Sequence, residues 1–322
     1  MNVCQPVVLP EVGGGGYRVL RLLEAWLRAQ GHIVTKVPHE STDVLVCNGW
    51  QVPLLTVLRA CWLNPSVKVV QRVDGGDYGR QDGAETRQRA VSRLADRRLY
   101  QSWASRTRTL AVAEADDPVI PNPVDLAVFT PDGPVMPLPT WTRARVAAVT
   151  WSPHPNKGWA EVYQLAKDYP QVQVVLCGRF PEPPALKNLV NMGVVATEAL
   201  AAILRACDAL VTFSRHEACP NHVLEAMACG RPVLYRDSGA MREMVAEGGE
   251  PLTAATDLMA ALDRVQDTGP RARQRILERH APDVVFPRYL EAMGPRTPMT
   301  RVQRARELTA RWVKPWPLEG GL

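Results

Sequence analysis

The stretch SRHEACPNHVLEAMACGRPVLYRDSGAMREMV, Ser214–Val245, decides how this sequence is read. The run ahead of it, DALVTFS, is β-rich and reads as a strand that empties into a short polar loop. Pro220 takes a favoured first helical position, and the helical pattern that follows stops at Gly230. The loop and the helix start therefore lie at the carboxyl edge of a sheet. In open α/β sheets that edge is where ligands bind, and the N–H groups of a helix start favour phosphate. Asn221, His222 and Val223 would present those groups. Glu217 in the loop and Glu225 in the helix, with seven residues between them, flank that start.

Working outward, the same alternation of short β-rich runs and helical patterns fills both halves of the chain, which is the signature of parallel α/β architecture. In the second half RVAAVTW, VQVVLCG, NLVNMGVVA and RPVLYR join DALVTFS as strands. Helical patterns at about 159–167, 198–207, 221–229 and 239–246 alternate with them. In the first half VCQPVVLP, IVTKV, DVLVCN and VKVVQRV read as strands, with RRLYQS and PVIPNPVD as short edge segments. Val19, Leu20, Leu22, Leu23, Trp26 and Leu27 form one helical face that Gly31 ends, and PLLTVLRACWL reads as a second helix. The Pro- and Gly-rich segment between Phe129 and Trp141 has no periodicity and reads as a linker. The expected division is two Rossmann-like, doubly wound α/β domains facing a cleft, residues 1–138 and 139–282, with C-terminal helices over 283–322.

A chain of 322 residues suits two such domains, and no apolar stretch approaches a membrane span. The N-terminus has no basic segment followed by a long apolar run, so no signal peptide is expected. Seven cysteines in mostly apolar segments, with neither C-x-x-C pairing nor metal-finger spacing, fit a reducing, cytoplasmic compartment and give no metal site. Net charge is only +5, but its distribution is uneven. Seven arginines from Arg87 to Arg108 meet one acid, Asp96, and six basic residues from Arg296 to Lys314 meet only Glu307. Such runs suit a polyanion or, as the blander reading, solvated helix faces.

Two glutamates at this spacing followed by Glu225-Ala226-Met227-Ala228, Gly230 and Pro232-Val233 resemble the signature of the retaining GT-B glycosyltransferases of family 4. The resemblance extends over most of the chain: GGGGYRVLRLLEAWLRAQGHIV, VVQRVDG, RRLYQSWAS, VIPNPVDLAVF and TWSPHPNKGW follow the family's order. It implies a GT-B fold, no cofactor, and a UDP- or GDP-sugar as co-substrate, its hexosyl or pentosyl group passing to an acceptor hydroxyl with retained configuration. By the same resemblance Glu217 contacts the donor sugar, Glu225 the ribose, and Lys157 the diphosphate, while Gly14 and Gly15 belong to the family's glycine-rich loop. Ser152 stands where the family commonly has an arginine; Arg179, after Cys177-Gly178, is the candidate replacement and His154 a weaker one. Asp74 follows a predicted strand and is a candidate on the acceptor side, its alternative being a turn-forming Asp before two glycines.

Rival chemistries lack their motifs. There is no G-x-x-x-x-G-K-[ST] loop, no G-x-G-x-x-G with its acidic partner, no G-x-S-x-G elbow, and Asp74-Gly-Gly-Asp77 has the wrong spacing for a metal-binding Asp-x-Asp. The acceptor is expected to be a small molecule or a glycan. Arg93, Arg97 and Arg98 add a DNA-modifying alternative acting on hydroxymethylated bases, and Ser152 a non-catalytic nucleotide-sugar or nucleic-acid binding protein.

Overall fold

A computed structural model describes residues 1–10, 14–75, 83–109, 113–141, 143–253 and 256–314. The chain forms two compact units, Met1–Pro121 together with the chain from Val285, and Asn122–Val284.

In the first unit β1 (Asn2–Cys4), α1 (Gly15–Ala29), β2 (Ile33–Thr35), β3 (Val44–Asn48), α2 (Leu54–Leu63), β4 (Lys68–Val73), α3 (Ala84–Leu94), β5 (Arg97–Tyr100) and α4 (Trp103–Arg108) follow one another. The strands make a parallel sheet in the order β2-β1-β3-β4-β5. Order reverses between β1 and β3, so the switch point lies there. The first strand is shorter than VCQPVVLP predicts, because Pro6 has no N–H to continue the ladder. PVIPNPVD contributes one bridge, Tyr100 to Val119. The α1 face is as patterned: Val19, Leu20, Leu23 and Leu27 are buried, and Gly31 at φ +79° closes the helix.

The second unit runs through β6 (Ala144–Thr150), a 3₁₀ turn at Pro155–Lys157, α5 (Trp159–Asp168), β7 (Val172–Gly178), β8 (Leu189–Asn191), α6 (Thr197–Arg205), β9 (Ala209–Thr212), α7 (Asn221–Ala228), β10 (Val233–Tyr235), α8 (Met241–Val245), β11 (Gly249–Pro251), α9 (Leu258–Val265) and α10 (Gly269–Arg279). Its parallel sheet has the order β11-β10-β9-β6-β7-β8, with the switch point between β6 and β9. Val146, Val174, Leu176, Val211 and Leu234 bring the sheet into one apolar core with α5 and α9.

α11 (Pro282–Ala292) and α12 (Arg301–Val313) close the described chain. Val285, Phe286 and Tyr289 of α11 join the first unit's core.

Two expectations need correction. The division falls at Pro121/Asn122 and not near residue 138. The Pro-rich segment taken for a linker belongs to the second unit, because arginines there bond its carbonyls. Arg205 donates to Val128, Thr130 and Pro134, Arg273 donates to Phe129, and the Met136 N–H donates to Ala202. The segment is aperiodic because side chains, not a ladder, satisfy its backbone. Several arginines of the basic runs are likewise engaged within the first unit. Arg98, 4% exposed, pairs with Asp117 at 2.6 Å and donates to the Ser92 and Ala95 carbonyls. Arg97 pairs with Asp116, and Arg93 donates to the Trp312 carbonyl. Arg296, Arg304 and Arg311 all reach both Asp96 and Glu307, the only acids in their runs. Arg98 and Arg304 are therefore structural charges and not a polyanion-binding face.

Candidate active site

In the second unit three loops meet at the carboxyl edge of the sheet. The loop after β6 carries Ser152, His154 and Lys157; the loop after β9 carries Glu217; the loop after β10 carries Ser238 and Gly239. They are joined through backbone. Arg215 N–H donates to the Asn156 carbonyl (2.7 Å), Ala240 N–H to the Glu217 carbonyl (2.8 Å), and His216 N–H to Ser238 Oγ (3.0 Å).

Two glycines allow this closeness. A Cβ on Gly158 (φ +69°) would lie 2.5 Å from the Phe213 carbonyl oxygen, and one on Gly239 (φ +63°) would lie 2.6 Å from both the Glu217 nitrogen and oxygen. Neither position accepts a side chain, in conformation or in space. Ser214, Ser238 and Gly239 were not singled out in the sequence. The signal for Ser238 and Gly239 is the second short polar turn, RDSGAM, after the next strand, whereas Ser214 stands in the same polar loop as Glu217.

Lys157 Nζ lies 2.5 Å from Glu217 Oε1, with the two side chains 29% and 16% exposed. Burial by itself would raise the Glu217 carboxyl. The Lys157 and His222 charges, with hydrogen bonds from Lys157 and Ser214, outweigh that and hold it below its ordinary value. The pair is thus ionised and poised at the switch point. His222 Nε2 is 3.2 Å from Thr212 Oγ1 at the end of β9, which ties the first turn of α7 to the strand before it.

Helix α7 begins at Asn221, with Pro220 as its cap and not its first residue. The Pro220 carbonyl accepts from the Val223 and Leu224 N–H groups at 3.1 and 3.3 Å. The Val223 amide is therefore spent inside the helix, which leaves Asn221 and His222 of the three predicted anion-facing positions. Asn221 Oδ1 accepts from Asn122 Nδ2 at 2.7 Å. Glu225 is 4% exposed in the second turn.

Ser152 bonds locally to Thr150 and His154, and the His154 ring accepts the Asn156 N–H, so His154 serves the turn. Arg179 is exposed just past the end of β7, its N–H on the Thr150 carbonyl and its guanidinium 5.2 Å from the Trp151 ring centroid.

The first unit has its own polar edge. Arg72, 1% exposed, donates to Asn48 Oδ1 and Asp74 Oδ1, both at 2.8 Å, and Gln101 Nε2 donates to the same Asp74 oxygen at 3.0 Å. Gly14 and Gly15 open α1 beside it; a Cβ on Gly16 would lie 3.3 Å from Asn48 Nδ2. Asp77, weighed in the sequence as a partner for Asp74, lies outside the described residues. Among the described residues no group of three or more His, Cys, Asp or Glu side chains forms a metal site.

The glycosyl transferases group 1 family model matches residues 158–268, from the Lys157-Gly158 turn through α7 to α9. The alpha-maltose-1-phosphate synthase of Mycolicibacterium smegmatis is similar at 26% identity, the match spanning 63% of each chain. Among solved structures, sucrose-phosphate synthase from Thermosynechococcus elongatus superposes with a TM-score of 0.71 at 17% identity, over 91% of this chain and 100% of that one. The Anabaena protein HepE, solved with UDP and glucose, gives 0.71 at 15% over 91% and 99%. These likenesses fix the fold as GT-B. The stretch that the family model matches contains Glu217, Glu225, Arg179 and the start of α7, and it begins one residue after Lys157.

Proposed function

We propose that the protein is a retaining glycosyltransferase that moves a sugar from a nucleoside diphosphate sugar to an acceptor hydroxyl. The observation that carries this reading is the Lys157–Glu217 pair at the switch point of the second unit, beside the start of α7. A diphosphate arriving there meets a mobile ammonium and a helix start, the two devices that stabilise a departing anion. As the anomeric bond to the diphosphate breaks, the acceptor oxygen bonds the same carbon from the same face and its proton passes to an oxygen of the departing diphosphate. Lys157 neutralises the leaving charge, Glu217 orients the sugar, and Glu225 accepts from the ribose hydroxyls. Arg179, one strand from the Ser152 turn, supplies the second cation.

HepE was solved with UDP-glucose as well as with UDP, which makes UDP-glucose the first donor to try. The acceptor class best supported is a small molecule or glycan, because Arg98 is buried in an ion pair and Arg93 and Arg97 are engaged within the first unit. The test is release of nucleoside diphosphate from UDP- and GDP-sugars with a panel of hydroxyl acceptors, with the product anomer read by NMR. Nucleotide binding without release for any donor and acceptor would make this a binding protein. An inverted anomer would refute retention.

A further inference from the structure

Helix α2 buries Val57, Ala60 and Cys61 against its sheet and turns the opposite face outward. Leu55, Leu58 and Trp62 on that face are 76%, 42% and 67% exposed. Their i, i+3, i+7 spacing makes one stripe, unlike the scattered single apolar residues of an ordinary surface. The start of α12 extends it: the Arg301 guanidinium lies 5.2 Å from the Trp62 ring centroid, its Nε donates to the Trp62 carbonyl at 3.1 Å, and Val302 beside it is exposed.

The charge on this face has one sign. Arg59 in the stripe and Arg301 stacked on Trp62 are exposed, as is Arg306 further along α12. Helix α2 contains no acidic residue, and Glu307 is engaged by Arg296, Arg304 and Arg311. An anionic partner is therefore indicated.

We propose that this face docks the protein reversibly on an anionic lipid surface. Leu55, Leu58, Trp62 and Val302 enter the boundary between headgroups and acyl chains, while Arg59, Arg301 and Arg306 meet lipid phosphates. Three features favour a bilayer over a protein. A stable protein interface needs roughly 20–30 residues a side, whereas this face offers three apolar side chains along about 10 Å of α2 and one more, Val302, on α12. Shallow insertion needs only such a stripe plus cations, because the two contributions add. An exposed Trp with arginine stacked on it suits headgroup depth, its ring apolar and its N–H polar, and arginine stems reach up to phosphates from below.

The test is flotation of the full chain with vesicles of phosphatidylcholine alone and of phosphatidylcholine mixed with phosphatidylglycerol. Binding is expected to the mixed vesicles, weaker to phosphatidylcholine, and reduced by added salt. Trp62→Ser, Leu55→Lys and Arg59→Glu should each lower the bound fraction severalfold, and Leu55→Lys with Trp62→Ser together should abolish it. All three positions are exposed, so thermal melting and UDP binding should match the unsubstituted protein. Absence of binding to either vesicle, or binding that survives the double substitution, overturns the proposal. So does a dimer in solution that the same substitutions dissociate when vesicles do not bind, which would assign the face to a second copy of the chain.

Discussion

Each sheet carries at its carboxyl edge a carboxylate held by a cation, after β4 in the first unit and at the switch point in the second, and the two pairs differ in what surrounds them. In the first unit Arg72 projects from a strand, is 1% exposed, and is shared between Asp74 and Asn48. In the second, Lys157 projects from a turn, is 29% exposed, and meets Glu217 as its one ion-pair partner among the described residues. A buried guanidinium whose Nη1 serves two acceptors cannot leave without loosening both. An ammonium on a flexible stem in a half-open turn can exchange a carboxylate for a phosphate. One architecture thus yields a fixed platform at one edge and a transferable charge at the other.

The comparison breaks most clearly through stability. Arg72→Ala should cost about 3–5 kcal/mol in chemical denaturation, because it empties the buried site of the guanidinium and takes from the buried Asn48 oxygen its Arg72 donor, while the partly exposed Asp74 keeps Gln101. A cost under about 1 kcal/mol would mean that Arg72 is no more fixed than Lys157.

Lys157→Ala should do the converse. Turnover should fall by roughly 10²–10³-fold, the scale seen when one charge-stabilising donor is lost, with a much smaller effect on stability. Equal turnover in this variant would remove the transferable charge from the reaction.

Acid titration tests the second unit's framework. Burial lowers the His280 imidazole from 6.5 to about 4, while its Nδ1 stays within 2.9 Å of the Asn122 carbonyl. A depressed histidine stabilises the folded state fully above its unfolded value, and that stability is lost as pH falls through the window. Denaturation midpoints should therefore drop between pH 6.5 and about 4, by about 3 kcal/mol in total. His280→Gln should flatten that dependence. Glu217, also depressed, adds a loss only below the ordinary carboxylate range.

The smallest effect is expected at Arg179. If it is the second cation, Arg179→Ala should lower turnover by about tenfold and Arg179→Lys should recover most of it. Unchanged kinetics would leave Lys157 and the helix start as the whole of the anion site.

Much of the site was legible because its signals are local. Glu217, Glu225 and the start of α7 lie within nine residues of one another, and a strand, polar loop and helix in sequence place them on one edge. The Val223 amide was misjudged because a helix start also uses its own cap carbonyl, here that of Pro220. β11 was not predicted, since Gly249–Pro251 has no strand pattern and pairs only because β10 offers it an edge.

The sequence by itself determined the alternation of strands and helices, the glycines at Gly31 and Gly230 that end two of them, and the carboxyl edge on which Glu217 sits. These follow from periodicity and backbone freedom, which neighbouring residues fully specify. Only the tertiary structure decided which charges are available. Arg98 finds Asp117 nineteen residues away, and Arg304 finds Asp96 208 residues away, so the buried arginines of runs that look basic along the chain are neutralised in space while Arg301 and Arg306 stay exposed. The same holds for the segment before Trp141, whose prolines read as a linker until Arg205 and Arg273 fold back to bond it. Hydrophobic pattern is a property of a segment, but the fate of a charge depends on partners that only folding brings near.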